Sequence, residues 1–132
     1  MSLLVDEYRR NWAVRFLREA NSDLSTAERT PIPVVSISFS VMAMRKAQTS
    51  VYYSLGDPSY IAKLVNRNIR GNKTVEDAVM RFLTNLELSI RNCTNKGEKL
   101  EKNTAINNAR TLIELASRMV ALMTGLDSGG FA

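Results

Sequence analysis

The sequence lacks histidine altogether and contains a single cysteine, Cys93, among its 132 residues. Zinc sites need several cysteine, histidine or carboxylate ligands, and catalytic devices of the Ser-His-Asp or Cys-His kind need an imidazole. An intramolecular disulfide needs a second thiol. We therefore expect a protein that is not an enzyme and that holds neither a metal nor another cofactor.

Long apolar runs are also missing. The most apolar stretch, 32–43, is interrupted by Ser36, Ser38 and Ser40, and it falls short of the ~20 apolar residues that span a bilayer. The N-terminus, MSLLVDEYRR, reaches its first charge at the sixth residue and does not have the order of regions typical of a signal peptide. We expect a cytoplasmic protein with no membrane partner.

Glycine and proline are scarce, with six and three residues. At this length the chain is expected to form one domain, which buries roughly two-thirds of the surface of its extended form. Apolar residues recur at steps of three and four along most of the chain, which indicates amphipathic helices. The sequence predicts an all-α, single-domain bundle of about five helices over 1–125, followed by a flexible tail over 126–132.

The first helix is predicted over 3–20, where Tyr8, Trp12 and Phe16 share a face. The segment Asn21–Pro33 combines asparagine, serine, aspartate and two prolines, a composition typical of turns. We expect it to be the longest connection in the chain.

The second element is ambiguous. Val35, Ile37, Phe39 and Val41 alternate with serines, as in a half-buried strand. The following residues, 42–49, are mostly good helix formers, and a strand would need a partner. One helix over 34–55 is the favoured interpretation, and a short hairpin is the alternative.

Turn and capping residues mark the remaining elements. Asp57 and Pro58 start a third helix, which continues to Arg70. Thr74, with Asp77 three residues later, resembles a capping box for a fourth helix. A last helix is predicted over 98–124, with Gly125 closing it.

Positive charge is concentrated in one quarter of the chain. Segment 43–75 has six basic residues and one acidic residue, whereas the remainder has twelve of each. Lys and Arg in this concentration suit a phosphate backbone. The candidate nucleic-acid contacts are Arg45, Lys46, Lys63, Arg67, Arg70 and Lys73.

Three of these cations, Lys63, Arg67 and Arg70, are spaced i, i+4, i+7 and so share one side of the third helix. Tyrosines at 52, 53 and 60 lie in the same segment and could stack on bases. The alternative interpretation is an ordinary solvated face with the tyrosines packed in the core.

The run Met44–Pro58, MRKAQTSVYYSLGDP, together with the chain length, the long final helix and the basic character, resembles the small helical subunit of class 1 CRISPR effector complexes of type I, the Cascade-like assemblies. The resemblance implies a non-catalytic subunit present in several copies. It would contact nucleic-acid backbone and stabilise the guide–target duplex and the displaced strand. Its implied partners are guide RNA, target DNA, other effector subunits and further copies of itself, with no small-molecule substrate.

A second interpretation comes from another functional class. A helical protein-interaction module, such as an adaptor or a secretion chaperone, would bind an acidic or helical partner. Its expected sign is an exposed apolar groove. Secretion chaperones are commonly acidic, whereas this chain is basic.

Overall fold

The structure, a computed structural model, describes residues 6–71 and 77–125. Within those ranges the chain forms five α-helices and one short 3-10 helix, and no strand. The prediction of an all-α, single-domain bundle is confirmed. The helices are α1 (Glu7–Arg29), α2 (Pro33–Leu55), α3 (Pro58–Gly71), α4 (Ala78–Lys96) and α5 (Lys102–Thr124), with the 3-10 helix at Gly97–Lys99. The tail predicted over 126–132 lies outside the described residues.

Aspartates begin three of the helices, because their carboxylates accept hydrogen bonds from backbone N–H groups that have no partner inside the helix. Asp6 accepts from Arg9 N at 2.9 Å, and Asp57 accepts from Ser59 N at 2.9 Å. The start of α4 corrects the predicted capping box, since Asp77 is itself the N-cap and accepts from Met80 N at 3.0 Å. Thr74 lies outside the described residues.

Helix α1 is longer than its composition predicts. The turn residues expected to form a long connection continue the helix to Arg29, so that prediction is wrong over 21–29. Ala20, Leu24 and Ala27 are buried and extend the inner stripe of the helix. Polar side chains on the outer side of the helix can form hydrogen bonds to the helix backbone. Thr26 Oγ1, for example, donates to Ser22 O. The connection to α2 is reduced to 30–32.

Small residues line the contact between α1 and α2. Ser36 Oγ donates to Ala27 O at 2.7 Å, and Ser50 Oγ donates to Ala13 O at 2.6 Å, so the two helices run antiparallel and approach closely. We call this contact the α1–α2 seam; its buried residues, which repeat at steps of four and three, are Ala13, Leu17, Ala20, Leu24 and Ala27 of α1 and Ser36, Ser40, Ala43, Ala47, Ser50 and Ser54 of α2. The hairpin alternative is therefore wrong, because the serines that suggested a strand lie in a helical contact.

Helix α2 is the centre of the bundle and packs against α1, α5, α3 and α4. The start of α5 lies beside the α1–α2 connection, where Lys102 Nζ donates to Thr30 O at 2.7 Å. Helices α3 and α4 cover a further side of α2 and contact each other. Among the described residues, no helix combines the length and the apolar character needed to cross a bilayer.

Candidate functional site

Helix α3 presents an uncompensated row of cations. It contains three basic residues and no acidic residue between Pro58 and Gly71. Ile61 and Val65 are buried, and since each helical residue turns by about 100°, Lys63, Arg67 and Arg70 lie on the opposite, outer side. All three are exposed, and none makes an ion pair with the described residues. We call these three residues the α3 basic face.

The three tyrosines proposed for stacking have different environments. Tyr60 is 61% exposed and lies one turn before Lys63 on the outer side of α3. Tyr52 is 6% exposed, and the ring of Tyr53 stacks on Trp12, with centroids 6.2 Å apart. Of the three, only Tyr60 offers an open ring face beside the α3 basic face.

Lys46 lies away from α3 and faces α1. Its Nζ is 2.8 Å from Asp23 Oδ2 and 3.5 Å from Glu19 Oε1. The adjacent carboxylate of Asp23 raises the pKa of Lys46, so the ammonium is held charged against α1. Lys73 lies outside the described residues, and its role stays a prediction.

Arg45 belongs to a polar cluster between α2 and α4 that centres on a buried carboxylate. Glu87 Oε1 accepts from Arg45 Nη1 at 2.7 Å and from Gln48 Nε2 at 2.5 Å, and Glu87 Oε2 accepts from Arg91 Nε at 2.6 Å. Arg91 Nη2 also donates to Asn66 Oδ1 on α3 at 2.6 Å. The cluster of Arg45, Gln48, Asn66, Glu87 and Arg91, here the Glu87 cluster, therefore joins three helices.

Two pKa values in this region are shifted by burial and by charge. Burial acts to raise the pKa of Glu87, but the hydrogen bonds from Arg45, Gln48 and Arg91 outweigh it and hold that pKa below its usual value. Burial, assisted by the charge of Glu87, raises the pKa of Tyr52 to about 12. Glu87 is thus an anion at neutral pH, and Tyr52, whose Oη accepts from Gln48 Nε2 at 3.0 Å, is a neutral phenol.

Glu87, Gln48 and Arg91 are not among the site residues predicted from the sequence. A signal for Glu87 was present, because it occupies the inner stripe of α4 defined by Leu83, Leu86 and Ile90. A charged residue in such a stripe is rarely buried unless it is paired. The partners from α2 could not be inferred, since Arg45 and Gln48 precede Glu87 by 42 and 39 residues.

A polar cleft opens beside the Glu87 cluster, between α2, α3 and α4. Its volume is about 420 Å³. We call it the α2–α3–α4 cleft. Its lining residues are Arg45, Gln48, Thr49, Tyr52, Pro58, Ser59, Ala62, Asn66, Glu87 and Arg91. Ser59 and Asn66 belong to α3, so the cleft borders the helix that carries the basic face.

A second groove of about 420 Å³ separates α4 from α5. Its floor contains the buried side chains of Met44, Leu86 and Leu112. Asparagines line both rims, and Asn108 Nδ2 donates to Cys93 Sγ at 3.4 Å across the groove. None of its lining residues is charged.

Cysteine and carboxylate side chains do not gather into any group of three that could hold a metal ion within 6–71 and 77–125. Comparisons of the chain with protein-family models, with curated proteins and with solved structures give no match. Function is therefore inferred from the surfaces described above.

Proposed function

We propose that the chain is a non-catalytic subunit that binds the phosphate backbone of nucleic acid through the α3 basic face. The observation that carries this proposal is the row of Lys63, Arg67 and Arg70, exposed and unpaired by acidic residues within the described part of the chain. Lys46, by contrast, is paired with Asp23 and Glu19 of α1. The α3 basic face thus retains its full charge for an external anion.

The dimensions of the face suit a run of phosphates. Arg70 follows Lys63 by seven helical steps, which at 1.5 Å per residue is about 10 Å along the helix. Successive nucleotides of one duplex strand rise by about 3.4 Å, so the face matches about three of them. Contacts of this kind position a nucleic acid without reading its sequence.

Such a subunit suits an assembly in which base pairing reads the sequence and protein contacts the backbone. The proposal includes the assembly that the sequence resemblance implies, a CRISPR RNA-guided complex of the type I, Cascade-like kind. There the α3 basic face would contact guide RNA, target DNA or the displaced strand, and several copies would assemble with the other effector subunits. The all-α fold, the long final helix and the basic α3 are the features that support this assignment.

The test is fluorescence anisotropy of the purified chain with single-stranded DNA, single-stranded RNA and an RNA–DNA duplex across a salt series. Three phosphate contacts predict a slope of the logarithm of the binding constant against the logarithm of salt concentration of about −2.7 for duplex and about −2.1 for single strands. Replacing Lys63, Arg67 and Arg70 together by glutamine should remove most of this dependence.

A control variant loses three positive charges outside α3. Arg10, Arg18 and Arg118 are exposed on α1 and α5 and make no ion pair with the described residues. Replacing these three by glutamine should leave most of the binding in place, and circular dichroism should show full helicity for both variants. An equal loss in the two variants would contradict a specific role for the α3 basic face.

The alternative, a helical protein-interaction module, is favoured by the groove between α4 and α5. Its apolar floor of Met44, Leu86 and Leu112 could receive the apolar side of a partner helix. The same titration separates the two functions. No binding of nucleic acid even at low salt would overturn the first proposal and direct attention to this groove.

A further inference from the structure

We infer that the α2–α3–α4 cleft is a phosphate subsite in which Arg45 and Arg91 bind a backbone phosphate of the same strand that contacts the α3 basic face. This inference rests on the proposed function, since it extends the path of the bound strand from α3 towards α4. It adds a contact formed by guanidinium groups that the protein already holds in place.

The cleft and the α3 basic face are continuous. At about 100° per helical residue, Lys63 and Arg70 lie within about 60° of Ser59 and Asn66 around the axis of α3. Ser59 and Asn66 line the cleft, and Arg91 Nη2 donates to Asn66 Oδ1 at 2.6 Å. A strand that follows the outer side of α3 therefore passes the mouth of the cleft.

Both guanidinium groups keep unused donors. Arg45 Nη1 donates to Gln48 Oε1 at 2.9 Å and to Glu87 Oε1 at 2.7 Å, whereas its Nε and Nη2 have no partner among the described residues. Arg91 uses Nε and Nη2 on Glu87 and Asn66, and its Nη1 likewise has no partner there. Charge-assisted N–H donors of this kind suit the oxygens of a phosphate.

The three charged side chains of the cleft differ in their exposure to solvent. The side chain of Glu87 is 9% exposed, whereas those of Arg45 and Arg91 are 42% and 40% exposed. The carboxylate is thus the least accessible of the three charged groups, and it holds both guanidinium groups through hydrogen bonds. Two cations and one anion leave a net charge of +1, and the more accessible of these groups are the cationic ones.

The test places a carboxylate at the mouth of the cleft and leaves the Glu87 cluster intact. Ser59 is exposed in the first turn of α3, where an acidic residue also favours the helix. A glutamate at position 59 would lie four residues before Lys63 and pair with it, so this substitution and its control are made in the Lys63→Gln background. There Ser59→Glu should weaken binding of a single-stranded oligonucleotide about tenfold, which corresponds to about 1.4 kcal/mol. It should also reduce the salt slope by about 0.7.

Thr104→Glu is the matched control. Thr104 is exposed in the first turn of α5, at the end of the bundle where Lys102 contacts Thr30, and the change in charge is the same. We expect the fold-loss of oligonucleotide affinity in this variant to be less than a third of the fold-loss in Ser59→Glu. Equal affinities for the two variants would overturn the subsite, whereas the α3 triple variant would still report on the proposed function.

Competition distinguishes a backbone phosphate from a small phosphorylated ligand. Inorganic phosphate and a nucleoside 5′-monophosphate are titrated into the chain and the Ser59→Glu variant by isothermal calorimetry. Binding of either probe that is tight and lost in Ser59→Glu, with no effect of that substitution on the oligonucleotide, would overturn the assignment to the backbone. Weak displacement of the oligonucleotide by millimolar phosphate, reduced in Ser59→Glu, would support it.

Discussion

Replacing Glu87 by glutamine should lower the free energy of unfolding by about 2–3 kcal/mol, because the carboxylate satisfies two cations in a buried position. Glutamine keeps the shape of the side chain and removes its charge. Its amide nitrogen would also be directed at a guanidinium donor on at least one side, since Arg45 and Arg91 approach different oxygens of the carboxylate.

The size of the effect follows from the geometry of the cluster. Removing one partner of a fully buried ion pair costs about 3–5 kcal/mol. Arg45 and Arg91 retain 42% and 40% of their side-chain exposure, so water solvates part of the charge left behind. We therefore expect a value below that range, which for a chain of this size lowers the melting temperature by about 7–11 °C.

Urea denaturation followed by circular dichroism at several pH values measures the effect. The pKa of Glu87 is lower in the folded protein than in the unfolded chain, so its ionisation stabilises the fold above the unfolded value of about 4.3. That contribution is lost as pH falls through the folded pKa. The difference between wild type and Glu87→Gln should be constant above about pH 5 and should shrink in more acidic solution.

Glu114→Gln is the control, because Glu114 is exposed on α5 and has no partner among the described residues. It should change stability by less than about 0.5 kcal/mol. An equally small effect of Glu87→Gln, or a difference from wild type that persists unchanged in acid, would refute the role given to the buried carboxylate.

Two further predictions concern the core. Leu17→Ala removes a side chain that is fully buried in the α1–α2 seam and should cost about 2–5 kcal/mol in urea denaturation, whereas Leu122→Ala, at a position 74% exposed, should change little. Because the pKa of Tyr52 is raised on folding, its neutral phenol contributes fully to the free energy of unfolding below about pH 10. That contribution falls as pH rises towards about 12. Tyr52→Phe should reduce that decline, and Tyr60→Phe, at an exposed position, should leave it in place.

The helical fold was largely predictable, because caps and apolar periodicity are local signals. Asp57 and Gly125 lie at the boundaries that their chemistry indicates, and α2 covers almost the range predicted for it. The end of α1 was not predicted, since Asn21 and Ser22 are compatible with either a turn or the outer side of a helix. What decides between them is the contact with α2, which composition alone does not reveal.

The candidate site was predictable only in part, for a related reason. The spacing of Lys63, Arg67 and Arg70 is local and places them together on α3. The ion pairs of Arg45 with Glu87 and of Lys46 with Asp23 depend on helix packing between distant segments. Counting charge along a segment therefore overestimates what its surface presents to a ligand.

The way α3 and α4 are attached to α2 has a consequence for local opening of the fold. The α1–α2 seam is continuous and made of buried, mostly small residues, whereas α3 and α4 join α2 in part through the polar Glu87 cluster. Units with fewer buried apolar contacts open at lower free energy than the rest of a domain. A nucleic-acid strand that bridges α3 and α4 would oppose that opening. Amide hydrogen exchange in these two helices should therefore slow when nucleic acid binds, while α1 and α2 exchange as before.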